Sequence, residues 1–173
     1  LVWTREEDMT HDRYRPQAAL KMRAAIGDDG APVAFEARIA VGSIQRSSGN
    51  PASAAKGIEP QAIEGIANTN YRIPNVRVGV TLKNTHVPVG FWRSVGSSQN
   101  AFFMESYIDE IAHETGQDAY KFRRALLAHR PDFIAVLDKI ALAGDWGKPL
   151  PAGHGRGIAI HECYNTIIGQ VAE

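Results

Sequence analysis

Hydrophobic positions along this chain follow two periods, and each predicts a different element. Leu20, Met22, Ala24 and Ile26 alternate with Ala19, Lys21, Arg23 and Ala25, the period-two pattern of a strand with one buried face. After the turn-forming Gly27-Asp28-Asp29-Gly30, Val33, Phe35, Ala37, Ile39 and Val41 alternate with Ala34, Glu36, Arg38 and Ala40. The two runs predict an antiparallel hairpin. Val76, Val78, Val80 and Leu82 alternate with Arg77, Gly79, Thr81 and Lys83, giving another strand. Residues 1–4 read as a short strand followed by a solvated turn, Arg5-Glu6-Glu7-Asp8, whose consecutive carboxylates project in different directions and do not converge on a metal. Residues 157–172 read as one returning strand that begins with Ile158, Ile160 and Glu162 on one face.

From about Ser98 the period changes. Ala101, Phe102, Met104, Tyr107, Ile108, Ile111 and Ala112 are spaced for the apolar stripe of a helix, with Ser97 or Ser98 as N-cap and Gly116 as the stop. Asp109 and Glu110 fall on the wet face. Glu105 stands one turn from the preceding loop, placed to brace it with a hydrogen bond. Asp118 caps a second helix over residues 119–128, with Phe122, Leu126 and Leu127 inward. A third follows Arg130-Pro131, carries Phe133, Val136, Leu137, Ile140 and Ala141, and stops near Gly144. Residues 45–70, rich in Gly, Ser, Ala, Pro and Asn, read as a long excursion over the surface or toward a partner, with a short helix over residues 60–66. Trp146 and residues 147–155 form a connector. The expected fold is α+β: an antiparallel or mixed sheet with a lobe of about three helices in a single unit over residues 1–173. Strands and the long loop occupy residues 1–96, the helical lobe 97–147 and the returning strand 155–173.

Composition narrows the function classes. The 19 Lys and Arg balance the 19 Asp and Glu, which argues against a nucleic-acid or anionic-membrane surface. The single cysteine, Cys163, excludes an internal disulfide and a cysteine-based zinc or iron–sulfur site. No apolar run approaches the roughly 18 residues that span a bilayer. The chain opens on Leu1-Val2-Trp3 and closes on Gln170-Val171-Ala172-Glu173, so it is expected to be part of a longer protein.

The search for chemistry leaves one stretch. Gly90-Phe91-Trp92-Arg93-Ser94-Val95-Gly96 packs two aromatics, a cation and two glycines into a loop that runs into a helix N-terminus, where backbone donors could meet an anion or cofactor. By spacing alone it also reads as a packed strand-to-helix turn. Other motifs fail on context. His161-Glu162 lacks a second histidine on the next turn, where Asn165 stands. Gly153-His154-Gly155-Arg156-Gly157 precedes a strand instead of a helix and reads as a connector. No Gly-x-Ser-x-Gly elbow occurs. Cys163 shares a strand face with His161, without a designed contact between them.

Four segments, in order, resemble the large, molybdenum-cofactor-binding subunit of the xanthine dehydrogenase/aldehyde oxidase family, in its isoquinoline 1-oxidoreductase beta-subunit, membrane-bound aldehyde dehydrogenase-like branch. They are Trp3-Thr4-Arg5-Glu6-Glu7-Asp8-Met9, Tyr71-Arg72-Ile73-Pro74-Asn75-Val76-Arg77, residues 87–112, and Gly155-Arg156-Gly157-Ile158-Ala159. The resemblance implies a fragment of the molybdopterin-binding domain of a molybdenum hydroxylase, which oxidises aldehydes or N-heterocycles with oxygen from water. Trp92-Arg93-Ser94 match the family loop that lies against the molybdenum centre, with Arg93 as an electrostatic stabiliser. Phe91 and Val95 would shape the substrate pocket, and a valine at position 95 leaves it roomier than in purine-oxidising members. Gln99 matches a glutamine that opens the family's helix, and with Glu105 would support the loop. The family's glutamate base, in a Gly-x-Gly-Glu motif, has no match here, nor do the glycine-rich segments that hold much of the pterin. The fragment is therefore expected to bind no cofactor and to be inactive alone. The resemblance further implies an iron–sulfur small subunit and, in several relatives, a cytochrome c subunit. It also implies a periplasmic or membrane-associated setting, with a cytoplasmic one left open. A reading from another class is a non-catalytic α+β scaffold or subunit-docking module, with the aromatic loop as an interface plug.

Overall fold

The computed structural model describes residues 1–50 and 57–173. The expected hairpin forms: β1 (Ala18–Ile26) pairs antiparallel with β2 (Pro32–Val41), Leu20 opposite Ile39 and Ala24 opposite Phe35. β3 (Asn75–Leu82) lies parallel to β2 on its other side, so the sheet is mixed, in the order β1-β2-β3. Parallel neighbours need a crossover, and residues 42–74 make it. It holds α2 (Ile44–Ser47), capped by Ser43 Oγ accepting from Arg46 N–H, and α3 (Pro60–Ile63), which begins on a proline. Part of the expected excursion, residues 51–56, lies outside the described residues. Alternation along β2 buries Phe35, Ala37, Ile39 and Val41. On the opposite face, Glu36 stands across from Arg23 and Arg77 and also pairs with Arg38. Arg23 foremost and Arg38 after it hold the Glu36 carboxyl below its usual range.

Two expected elements are corrected. Residues 1–4 form no strand. Instead Thr4 caps α1 (Arg5–Thr10), its hydroxyl accepting from Glu7 N–H. The threonine followed three residues later by a glutamate is a helix-start pattern, and the acidic first turn suits the positive end of the helix dipole. The returning strand is a hairpin, β4 (Gly157–Cys163) and β5 (Thr166–Ala172), turned by Tyr164 and Asn165 at φ 49° and 58°. Two left-handed residues in a row match the right-handed twist of a tight hairpin, but the usual Asn-Gly signal is missing.

The helical lobe follows expectation. α4 (Ser97–Glu114) ends where Gly116, at φ 66°, donates to His113 C=O and Gln117 donates to Ala112 C=O, satisfying two terminal carbonyls. α5 (Ala119–Leu126) is capped by Asp118, and α6 (Pro131–Ala143) stops at Gly144. The main core lies between the inner face of β2, Met104, Ile108 and Ile111 of α4, Phe122 and Leu126 of α5, Phe133 and Leu137 of α6, and Ile158 and Ile160 of β4. Phe102 does not join it. The residue is 70% exposed on the side of α4 that faces β4.

Candidate functional site

The loop before α4 is fastened on its strand side. Tyr14 and Val89 form a parallel bridge, Tyr14 N–H donating to Pro88 C=O and Gly90 N–H to Tyr14 C=O. A Cβ on Gly90 would come within 2.7 Å of Arg13 Cδ. Trp92 is held by two contacts: its indole N–H donates to Arg13 C=O at 2.9 Å, and the Arg15 guanidinium sits 5.0 Å from the ring centroid, a cation–π distance. Half-exposed Phe91 and Trp92 border Arg93, which is exposed and takes part in no ion pair among the described residues.

The chain then turns sharply. Val95 N–H closes on Trp92 C=O, and Ser94 and Val95 both adopt left-handed backbone, at φ 72° and 44°. A branched side chain in that region is an outlier that persists only where its surroundings impose it. The cause is the next residue. Gly96 lies against α3 so closely that a Cβ would stand 1.9 Å from Gln61 C=O. The N-cap position of α4 is thus Gly96, with no side-chain cap, and neither expected serine fills it. Ser98 Oγ donates back to Val95 C=O, and Ser97 is buried with its Oγ unpaired. Glu64 sits beside this end of the helix. Burial raises its pKa, while the neighbouring Gly96 backbone works in the opposite direction.

Glu105 corrects its expected role. Its carboxylate does not reach the loop; it accepts from Tyr71 Oη at 2.7 Å, Arg123 Nε at 2.9 Å and Ile160 N–H at 2.9 Å. The reason is position: Glu105 precedes Ile108 by three residues and so lies within the buried stripe. Arg123, fully buried, also reaches Asp109 and the backbone of Glu105 and Ala119. Burial pushes the Glu105 carboxyl up, and Arg123 chiefly opposes it. The network joins α4, α5, β4 and the segment around Tyr71. Asp109, expected on the wet face, is half-exposed and bound to Arg123. Gln99 accepts from Ser98 Oγ and, with Val95, lines a small void against α3.

Of the expected site residues, Ser94 and Glu105 alone line the larger cleft between α4 and the β4–β5 hairpin, about 430 Å³ in volume. Trp92 and Arg93 lie outside it on the exposed loop. Sequence reading passed over Arg123, although it precedes buried Leu127 by one helical turn, and over Ser97 and His161 as polar groups of this cleft. Arg156, in the glycine-rich connector before β4, is held by Glu173 at 2.8 Å and by Asp145 C=O.

The residues suit a large ligand lying on the exposed face of the loop, where Arg93 stands and the first turn of α4 is uncapped. They do not suit a bare anion in that first turn, where the Glu64 side chain already lies against Gly96.

Comparison with known proteins gives the chain its relatives. The beta subunit of isoquinoline 1-oxidoreductase from Brevundimonas diminuta is 28% identical over 166 residues, which is 95% of this chain and 21% of that protein. An aldehyde oxidoreductase from Desulfovibrio gigas superposes with a TM-score of 0.64 at 21% identity, over 92% of this chain and 19% of its own. Quinoline 2-oxidoreductase from Pseudomonas putida 86 gives 0.56 at 18% identity, over 92% and 23%. Both structures share the fold, and the chain spans about a fifth of the length of these relatives. The family model of the molybdopterin cofactor-binding domain matches residues 1–127, which include the whole of the loop and α4, and the chain belongs to that family.

Proposed function

We propose that this chain supplies one wall of the cofactor site in the catalytic subunit of a molybdenum hydroxylase acting on an aldehyde or an N-heterocycle. The observation that carries the reading is the loop itself: an exposed Arg93 with no ion pair among the described residues, followed by two non-glycine residues in left-handed backbone, at the start of a helix with no side-chain N-cap. Trp92, Arg93 and Ser94 would hold the cofactor. When bound, the cofactor supplies the metal together with its dithiolene and oxo or sulfido ligands, and with them the redox chemistry and a route for oxygen from water.

The protein groups provide position and charge. The Arg13 carbonyl and the Arg15 guanidinium fix the Trp92 ring, the residue next to Arg93. A guanidinium held there favours negative charge developing on a substrate oxygen. Phe91 and Val95 bound the substrate space, and Gln99 supports the turn from below. The general base comes from elsewhere in the full-length protein. Electrons leave through an iron–sulfur subunit and, in a three-component enzyme, a cytochrome. Exposed Phe91 and Trp92 would equally suit the second reading, a non-catalytic docking module with an aromatic plug.

Replacing Arg93 by alanine in the full-length enzyme separates the readings. Loss of one electrostatic donor should lower turnover by roughly 100-fold with molybdenum content unchanged. An equal loss of molybdenum would assign Arg93 to cofactor loading. Unchanged turnover with weakened subunit association would favour the plug.

A further inference from the structure

The sheet β1-β2-β3 buries one face against α3 and α4. Alternation puts Lys21, Arg23, Glu36, Arg38, Arg77 and Gly79 on the other, with alanines and Thr81 around them. The register arranges them in two rows. Arg23, Glu36 and Arg77 lie side by side across the three strands, and Lys21, Arg38 and Gly79 form the next row. Glu36 draws three guanidiniums, Arg23 at 2.5 Å, Arg38 at 3.0 Å and Arg77 at 3.7 Å. Its side chain lies low, 15% exposed, while those of the arginines stand 66%, 62% and 78% exposed. Arg23 and Arg38 each turn the Nε–Nη2 edge to Glu36 and keep Nη1 for another acceptor. Lys21 is exposed and makes no ion pair among the described residues. The face thus gathers four cations around one carboxylate, in a chain whose charges balance overall.

Geometry selects the partner. Neighbouring strands are about 4.8 Å apart, so Arg23 and Arg77 leave the sheet about 10 Å apart, and the row of Lys21 and Arg38 follows about 7 Å along the strands. On a helix, carboxylates seven residues apart are separated by about 10 Å, and those three or four apart by about 5–6 Å. A helix with acidic residues at i, i+3 or i+4, and i+7 therefore matches this footprint. The small residues around the cations let such a helix come close, and an open hollow of about 380 Å³ lies among Lys21, Arg38, Arg77 and Gly79. Glu36 holds the guanidiniums in place beforehand, which lowers the ordering cost of binding. Duplex nucleic acid, with one charge per roughly 1.7 Å of axis, would need a longer basic track than two rows.

We propose that the outer face of the β1-β2-β3 sheet docks an acidic helix of a partner protein, whose carboxylates meet Lys21, Arg23, Arg38 and Arg77. The face shares no residue with the loop before α4 and does not depend on the cofactor reading. Two labelled helical peptides test it, titrated into the full-length protein by fluorescence anisotropy. One carries glutamates at the stated spacing and the other glutamines at the same positions. The glutamate peptide should bind about ten-fold tighter, the effect of three or four exposed ion pairs, and lose most of that margin near 1 M salt. Arg38→Gln combined with Arg77→Gln should bring the two peptides to within about three-fold of each other. Lys21→Gln should by itself cut the margin about two-fold, and it decides the matter should the double variant fail to fold. Absence of binding, equal binding of the two peptides, or a margin that survives high salt or these variants would each overturn the proposal. So would stronger competition by sodium triphosphate or by phosphatidylserine vesicles than by the unlabelled glutamate peptide, which would make the face a phosphate or membrane site.

Discussion

Two stretches of α4, barely two turns apart, treat polar groups in opposite ways. At Glu105 a buried carboxylate meets three donors, and buried Arg123 answers it with hydrogen bonds of its own. At the first turn, Ser97 and Asn100 keep unpaired oxygens and the preceding loop holds Ser94 and Val95 in left-handed backbone. The first arrangement is what a fold needs, since a buried charge is tolerated only when paired. The second costs stability and persists because Glu105, Gly96 and the α3 contact hold the helix where it is. Strain and unmet hydrogen bonds gather at the end of the helix that the proposed function assigns to binding.

The largest effect that tests this contrast is Arg123→Met. It leaves the Glu105 carboxylate buried without its cation and should destabilise the fold by about 3–5 kcal/mol in denaturant titrations. Arg93→Ala, at the other end, should stay within about 0.5 kcal/mol. Pairing Arg123→Met with Glu105→Leu should recover part of the loss, because the desolvated charge goes with its partner. Equal losses for Arg123→Met and Arg93→Ala would erase the distinction between the two ends.

How much of this was legible in the sequence follows the same divide. Strand alternation in β1, β2 and β3, the Asp118 cap and the Gly116 stop were readable because each depends on neighbours close in the chain. The parallel pairing of β3 was not, since it is decided by a long crossover. Glu105 and Arg123 each sit at a buried helical position, but 18 residues separate them, and periodicity describes one helix at a time. Phe102 was assigned inward because it is apolar, whereas the cleft beside β4 leaves it exposed. The loop was singled out by its composition. Its backbone was not foreseen, because the close approach of Gly96 to Gln61 that forces Val95 over is a contact between distant segments.

A smaller effect sharpens the account of strain. Left-handed backbone costs an L-residue about 1–2 kcal/mol, and Val95 has a branched Cβ besides. Val95→Gly removes that cost but adds roughly 0.5–1 kcal/mol of backbone entropy lost on folding. The variant should therefore be more stable than the native protein by up to about 1 kcal/mol, as read by the urea midpoint at unchanged slope. Destabilisation would show that the Val95 side chain contributes more by packing against α3 than its backbone costs, making this turn a structural joint.

The smallest effect is read by pH. Desolvation lowers the His161 pKa beneath its ordinary value of 6.5, and Glu162 offsets only part of this. The folded ring therefore binds a proton less readily than the unfolded one. Its contribution to stability is fully present above about pH 6.5 and is lost as pH falls through the lower folded value. Unfolding curves between about pH 7.5 and 5 should show this decline in the native protein and a shallower one in His161→Gln. The difference between the two curves isolates the residue: Glu64 and Glu105, whose carboxyls burial raises, act in the opposite sense but equally in both proteins, the other histidines are all exposed, and Asp132, held down to about 2 chiefly by its hydrogen bond from Arg130, titrates below the window. Parallel curves would mean that water reaches the imidazole freely. The first turn of α4 would then differ from the Glu105 network in geometry alone.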